Sequence, residues 1–75
     1  MKVETIYKKL TEINDMFDPE KGGEGCPDEE LPKILRRLKN YKRRLLELEL
    51  NDGEDTFRES MLCHTLIECV EEFMR

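Results

Sequence analysis

The sequence predicts an all-α fold, a three-helix bundle, on three observations. Apolar residues recur at alternating steps of three and four in three separate segments. No run alternates apolar and polar positions with β-branched residues, the pattern of a half-buried strand. The glycines and prolines fall between the periodic segments, apart from Pro32 at the start of one.

The first helix is predicted over about residues 2–17, where Val3, Ile6, Leu10, Ile13 and Phe17 form one stripe and Tyr7 widens it. Asp18-Pro19 ends it, because the residue before a proline is pushed out of α geometry. Residues 18–30, DPEKGGEGCPDEE, hold three of the four glycines and two of the three prolines, and read as an acidic loop. The second helix, about 31–50, carries Leu31, Ile34, Leu38, Tyr41, Leu45 and Leu48 on one stripe. Pro32 fits its first turn, where a missing N–H is no loss. Asn51-Asp52-Gly53 is a turn, and the third helix, about 54–74, carries Leu62, Leu66, Cys69 and Phe73. Two residues compete to cap it: Asp52, and Thr56 with Glu59 as a T-x-x-E capping box. The short turn makes helices two and three antiparallel, and the heptad-like spacing predicts shallow, left-handed packing.

Length and composition narrow the function. The chain of 75 residues is one domain, 1–75, with 41% charged residues, a net charge of −5 and no tryptophan. A domain this small buries only about 60% of the surface its unfolded chain exposes, which excludes a multi-domain enzyme and a deep substrate cavity. The longest unbroken apolar stretch is Met61-Leu62-Cys63, far from the roughly 18 residues a bilayer span needs. The segment MKVETIYKKL lacks the continuous apolar centre of a secretory signal. Three cysteines, Cys26, Cys63 and Cys69, are an odd number for a disulfide scaffold. Cys63 and Cys69 stand about 9 Å apart along a helix axis, too far to bridge. Both read as small core hydrophobes, and the expected location is the reducing cytoplasm. Cys26 has Glu24, Asp28 and Glu29 for neighbours, which raise a thiol pKa and argue against reactivity.

The apolar arc of the third helix spans about 160°, wider than one buried stripe requires. Leu35, Leu46 and Leu50 also fall outside the main seam of helix two. A core this small seldom supplies more than about 3–5 kcal/mol. A homodimer is therefore expected, with Cys63, Ile67, Val70 and Met74 of helix three facing a second chain. Met16, Phe57 and Met61 project away from the seams and are candidate anchors for a partner.

Charge placement carries the most chemical information. Seven cations fall in residues 33–44 without an acid among them: Lys33, Arg36, Arg37, Lys39, Lys42, Arg43 and Arg44. Lys33, Arg36, Arg37, Arg43 and Arg44 lie within about 120° of one another at 3.6 residues per turn, around Asn40 and opposite the leucine seam. This basic ridge reads as a surface for an acidic protein partner, as a solvated face balanced by neighbouring acids, or as a set of phosphate contacts. Against nucleic acid, the rest of the chain is net −12 against the +7 here, and no aromatic on the ridge stacks on bases.

Three chemical motifs are weaker. With Asp18 as position 1, Glu20, Gly23 and Glu29 fall at positions 3, 6 and 12 of an EF-hand-like spacing. Gly22 at position 5 offers no side-chain oxygen and Pro19 stiffens position 2, so a solvated acidic loop is the better reading. The glycines of GGEG lack a following Lys-Ser/Thr, and Glu24 would repel a phosphate. His64 is the sole histidine and is expected to pair with Glu68 one turn on; with Ser60 it lacks an oxyanion hole or any exclusion of water. No catalytic residue, metal or cofactor is assigned. The reading is a non-catalytic helical protein–protein interaction module, a regulator, inhibitor or adaptor, with nucleic-acid association through the ridge as the alternative.

Overall fold

A computed structural model describes residues 2–75 of the chain. Three helices make up the fold: α1 (Val3–Met16), α2 (Leu31–Asp52) and α3 (Phe57–Phe73). Two short 3₁₀ turns, Pro19–Lys21 and Asp28–Glu30, sit in the connection between α1 and α2. The described residues contain no strand, so the all-α three-helix bundle stands.

The helix ends follow local chemistry. Helix α2 runs two residues past its expected end, to Asp52, and stops at Gly53 with φ of 68°. In that left-handed geometry the Glu54 N–H reaches back to the Leu48 carbonyl at 3.3 Å. Helix α3 starts at Phe57, with Thr56 at the N-cap position, so Asp52 is not its cap. The expected capping box does not form either. The Thr56 hydroxyl donates instead to Glu49 Oε2 at 3.4 Å, while Asp55 Oδ1 accepts the Phe57 N–H at 3.2 Å. Glu59, the other half of the box, is turned inward and only 4% exposed.

Contacts between elements fix the topology. Glu49 meets Thr56 and Leu38 meets Cys63, so residue numbers rise in α2 as they fall in α3, and the pair is antiparallel. Arg58 at the start of α3 covers Tyr7, and Phe73 at its end stacks on Phe17 at 5.6 Å. Helix α1 therefore runs parallel to α3, and the bundle is up–down–up.

The core is built from Ile6, Leu10 and Ile13 of α1, Leu31, Ile34, Leu38, Leu45 and Leu48 of α2, and Cys63, Leu66, Ile67 and Val70 of α3. The stripes of α1 and α2 are those of the sequence pattern, with Tyr41 half-buried at the edge. The stripe of α3 is rotated. Of Leu62, Leu66, Cys69 and Phe73, only Leu66 is buried, and Phe73 is mostly exposed. Cys63, Ile67 and Val70, expected to face a second chain, lie inside the chain's own core; only Met74 of that set is exposed. The wide apolar arc serves two neighbours in the same molecule, α1 on one flank and α2 on the other.

The loop is tied to the end of α1. The Gly25 N–H donates to the Met16 carbonyl at 2.8 Å, and the Gly23 N–H to the Asp18 carbonyl at 3.0 Å. Gly23 passes so close to the Asp15 and Met16 carbonyls that a Cβ there would collide with backbone. The glycine at that position is a packing requirement.

Candidate functional site

Helix α2 places the basic ridge on the outside of the bundle because Leu31, Ile34, Leu38, Leu45 and Leu48 take its inner face. Lys33, Arg36, Arg37, Arg43 and Arg44 are all exposed, as are Lys39 and Lys42. Two of the seven cations have acidic partners: Lys33 lies 3.7 Å from Glu30, and Arg44 lies 3.1 Å from Glu47. Arg37 donates to the Tyr41 hydroxyl at 3.2 Å, and Arg43 donates to Asn40 Oδ1 at 3.4 Å. Among the described residues, Arg36, Arg37, Lys39, Lys42 and Arg43 have no carboxylate within 4.0 Å. Balance by neighbouring acids is therefore local to the two ends of the ridge.

Beside the ridge, between α2 and α3, runs a shallow groove of about 350 Å³ lined by Lys39, Lys42, Arg43, Leu46, Glu49 and Ser60. Its floor is largely apolar, made of lysine and arginine stems with Leu46. Lys39 and Lys42, off the centre of the ridge by helical rotation, belong to this groove. Four large apolar side chains stand in solvent at the same end of the helix pair: Leu46, Leu50, Phe57 and Met61. The expected anchors Phe57 and Met61 are thus exposed, whereas Met16 is half-buried and packs against the core. Leu35 also packs half-buried on the core, unlike Leu46 and Leu50. A separate, larger opening of about 540 Å³, lined by Lys2, Val3, Glu4, Arg44, Leu48, Asp52 and Glu54, mixes charges of both signs.

The weaker motifs resolve into local structure. His64 Nε2 and Glu68 Oε1 are 3.0 Å apart on the open face of α3. Ser60 donates to the Thr56 hydroxyl at 3.4 Å, so the structure does not join it to His64. In the loop, Asp18 Oδ1 accepts the Glu20 N–H at 3.0 Å. Among the described residues, no three His, Cys, Asp or Glu side chains are gathered as metal ligands. The buried Cys63 thiol donates to the Leu38 carbonyl at 3.1 Å. Burial pushes its pKa up to about 11, partly offset by the Lys42 charge. Cys26 is also raised, by burial first and then by the charges of Glu30 and Asp28. No helix among the described residues is long and apolar enough to cross a membrane.

One polar feature had no clear sequence signal. Glu59 is buried beside Arg58, whose Nε donates to Glu59 Oε2 at 3.1 Å, and the Arg58 guanidinium lies 4.1 Å from the Tyr7 ring centre. The spacing of Glu59, Cys63, Leu66 and Val70 is a helical stripe once a charged residue is admitted to it. Comparisons with protein-family models, with curated proteins and with solved structures found no match to this chain.

Proposed function

We propose that this protein is a non-catalytic helical interaction module that engages an acidic protein partner through the basic ridge of α2. The observation that carries the reading is the set of ridge cations without carboxylate partners. Solvation alone gives no reason to gather seven cations into one helix of an otherwise acidic chain, whereas an acidic partner does. Exposed apolar residues beside the cations supply the anchoring area that charge by itself does not. Cytoplasmic work as a regulator, inhibitor or adaptor fits three unbridged cysteines.

The alternative, contact with nucleic-acid phosphates, draws on the same cations and is separated from the first reading by one titration. A Glu/Leu amphipathic helical peptide and a heterologous DNA duplex are each offered to the protein at about 50 mM salt and then at rising salt. Binding of the peptide, reduced at least tenfold by joint Arg36→Glu and Arg37→Glu substitution, supports the protein-partner reading. Tight duplex binding that falls steeply with salt, together with no peptide binding, replaces it with the nucleic-acid reading. Binding of neither probe removes the ridge as a docking surface.

A further inference from the structure

We propose that the groove between α2 and α3 seats an amphipathic helix of the acidic partner, its apolar anchor on Leu46 and its carboxylates over Lys39, Lys42 and Arg43. The proposal rests on the acidic-partner reading of the ridge and gives that partner a shape. Lys39, Arg43, Leu46 and Leu50 step by four, three and four along α2. That spacing is a second helical stripe beside the buried one, and all four residues are exposed. Its first half is cationic and its second half apolar, with Leu46 53% and Leu50 73% exposed. Arg36, three residues before Lys39, is where the stripe joins the ridge.

The two flanks of α2 differ in charge. On the α1 flank the chain supplies its own acids: Arg44 lies 3.1 Å from Glu47 and lines an opening with Glu4, Asp52 and Glu54. On the α3 flank, Lys39, Lys42 and Arg43 share the groove with Glu49 alone. The Glu49 carboxylate accepts the Thr56 hydroxyl at 3.4 Å, and among the described residues none of the three cations is in an ion pair. Excess positive charge around an apolar floor is complemented by an occupant that is acidic and apolar together. Phosphates would answer the cations and leave Leu46 and Leu50 in water. A second copy docked by the same face would set three cations against three cations.

The walls of the groove also select the occupant's backbone. Both are helices whose N–H and C=O groups are bonded internally, so they offer no ladder to an extended segment. A helix brings its own backbone bonds and lays its apolar face along such a groove. Lys39 and Leu46 are seven residues apart on α2, about 10 Å along the axis at 1.5 Å per residue. A helix aligned with α2 meets both when its carboxylates stand two turns from its apolar anchor.

Two synthetic helical peptides of one composition test this. In the first, one face carries glutamates along half its length and leucines along the other half. In the second, the same glutamates and leucines alternate along that face. In fluorescence anisotropy titrations the segregated peptide is expected to bind about tenfold more tightly than the alternating one. Leu46→Gln removes apolar floor without changing charge and is expected to abolish that preference. Joint Lys39→Gln and Lys42→Gln substitution is expected to weaken binding of the segregated peptide about tenfold. Far-UV circular dichroism checks that each variant is folded, and the comparison of the two peptides on the parent chain decides the matter should Leu46→Gln not fold. Equal affinity for the two peptides, or a preference that survives Leu46→Gln, overturns the groove and leaves the ridge to be judged by joint Arg36→Glu and Arg37→Glu substitution. Binding of neither peptide overturns groove and ridge together. A parent mass that rises above 9.0 kDa in sedimentation equilibrium, and that Leu46→Gln returns to the monomer value, gives the face to a second copy and overturns the proposal as well.

Discussion

Cys63 shows how a residue that looks chemically inviting is made inert. It is fully buried, gives its S–H to the Leu38 carbonyl, and holds its proton to about pH 11. The thiolate is the reactive form, so thiol reagents have neither access nor nucleophile at neutral pH. The same shift makes stability depend on pH. The folded pKa lies above the ordinary value of 9.0, so between pH 9 and pH 11 the native state binds more protons than the unfolded state. The stabilisation is complete below about pH 9 and is lost as pH rises through that window, with a slope reaching about 1.4 kcal/mol per pH unit. Urea unfolding at stepped pH is expected to show this loss in the parent, and Cys63→Ala is expected to flatten it relative to the parent. Equal slopes in the two proteins would mean that Cys63 titrates alike folded and unfolded.

At the scale of elements, helix α3 explains where the sequence was legible and where it was not. Helices α1 and α2 each bury a narrow apolar stripe against charged remainders, so Ile6-Leu10-Ile13 and Leu31-Ile34-Leu38-Leu45-Leu48 can be read without coordinates. The break at Gly53 and the tie-down loop are legible because their glycines interrupt a helical reading, although Asn51 and Asp52, expected in the turn, continue α2. Helix α3 touches both neighbours, and its apolar positions cover nearly half its circumference. Periodicity then leaves the buried centre undetermined by some tens of degrees, and an apolar-only wheel discards Glu59 and Thr56, which lie on the true centre line. The ridge is legible because a run of cations needs no packing information, whereas the groove depends on which helix flanks α2. Arg58 is the device that lets Glu59 stay inside: it neutralises the carboxylate and lies over Tyr7 of α1, joining the two parallel helices. Arg58→Ala is expected to cost about 1–3 kcal/mol, chiefly by leaving a buried carboxylate short of a partner. A thermal double-mutant cycle of Arg58→Ala with Tyr7→Leu is expected to return a coupling of about 0.5–1 kcal/mol. Strict additivity would show that the ring and the guanidinium contribute independently.

For the molecule as a whole, the ridge is a liability to folding, and that is the physical reason to assign it a task. Along α2, Lys33 stands three and four residues from Arg36 and Arg37, and Lys39 stands three residues from Arg36 and Lys42 and four from Arg43. Like charges at these spacings are neighbours on the helix surface and destabilise by about 0.2–0.5 kcal/mol per pair. The remaining acids of the chain do little to relieve this, since Lys33 and Arg44 alone in the ridge have carboxylate partners. A surface kept at the expense of stability is the usual mark of function, and the trade can be reversed by design. Arg36→Glu turns the repulsions with Lys33 and Lys39 into attractions and touches no core residue. It is expected to stabilise the fold by about 1 kcal/mol and to raise Tm by about 4–8 °C. The same substitution is expected to weaken binding of the acidic peptide, because it removes a cation and places a like charge at the centre of the contact. Thermal unfolding and peptide titration on one preparation of Arg36→Glu therefore read both sides of the trade. If the variant is more stable and binds the peptide as tightly as the parent, the ridge has another use; if it is no more stable, the charges in α2 are already balanced and the ridge carries no such trade.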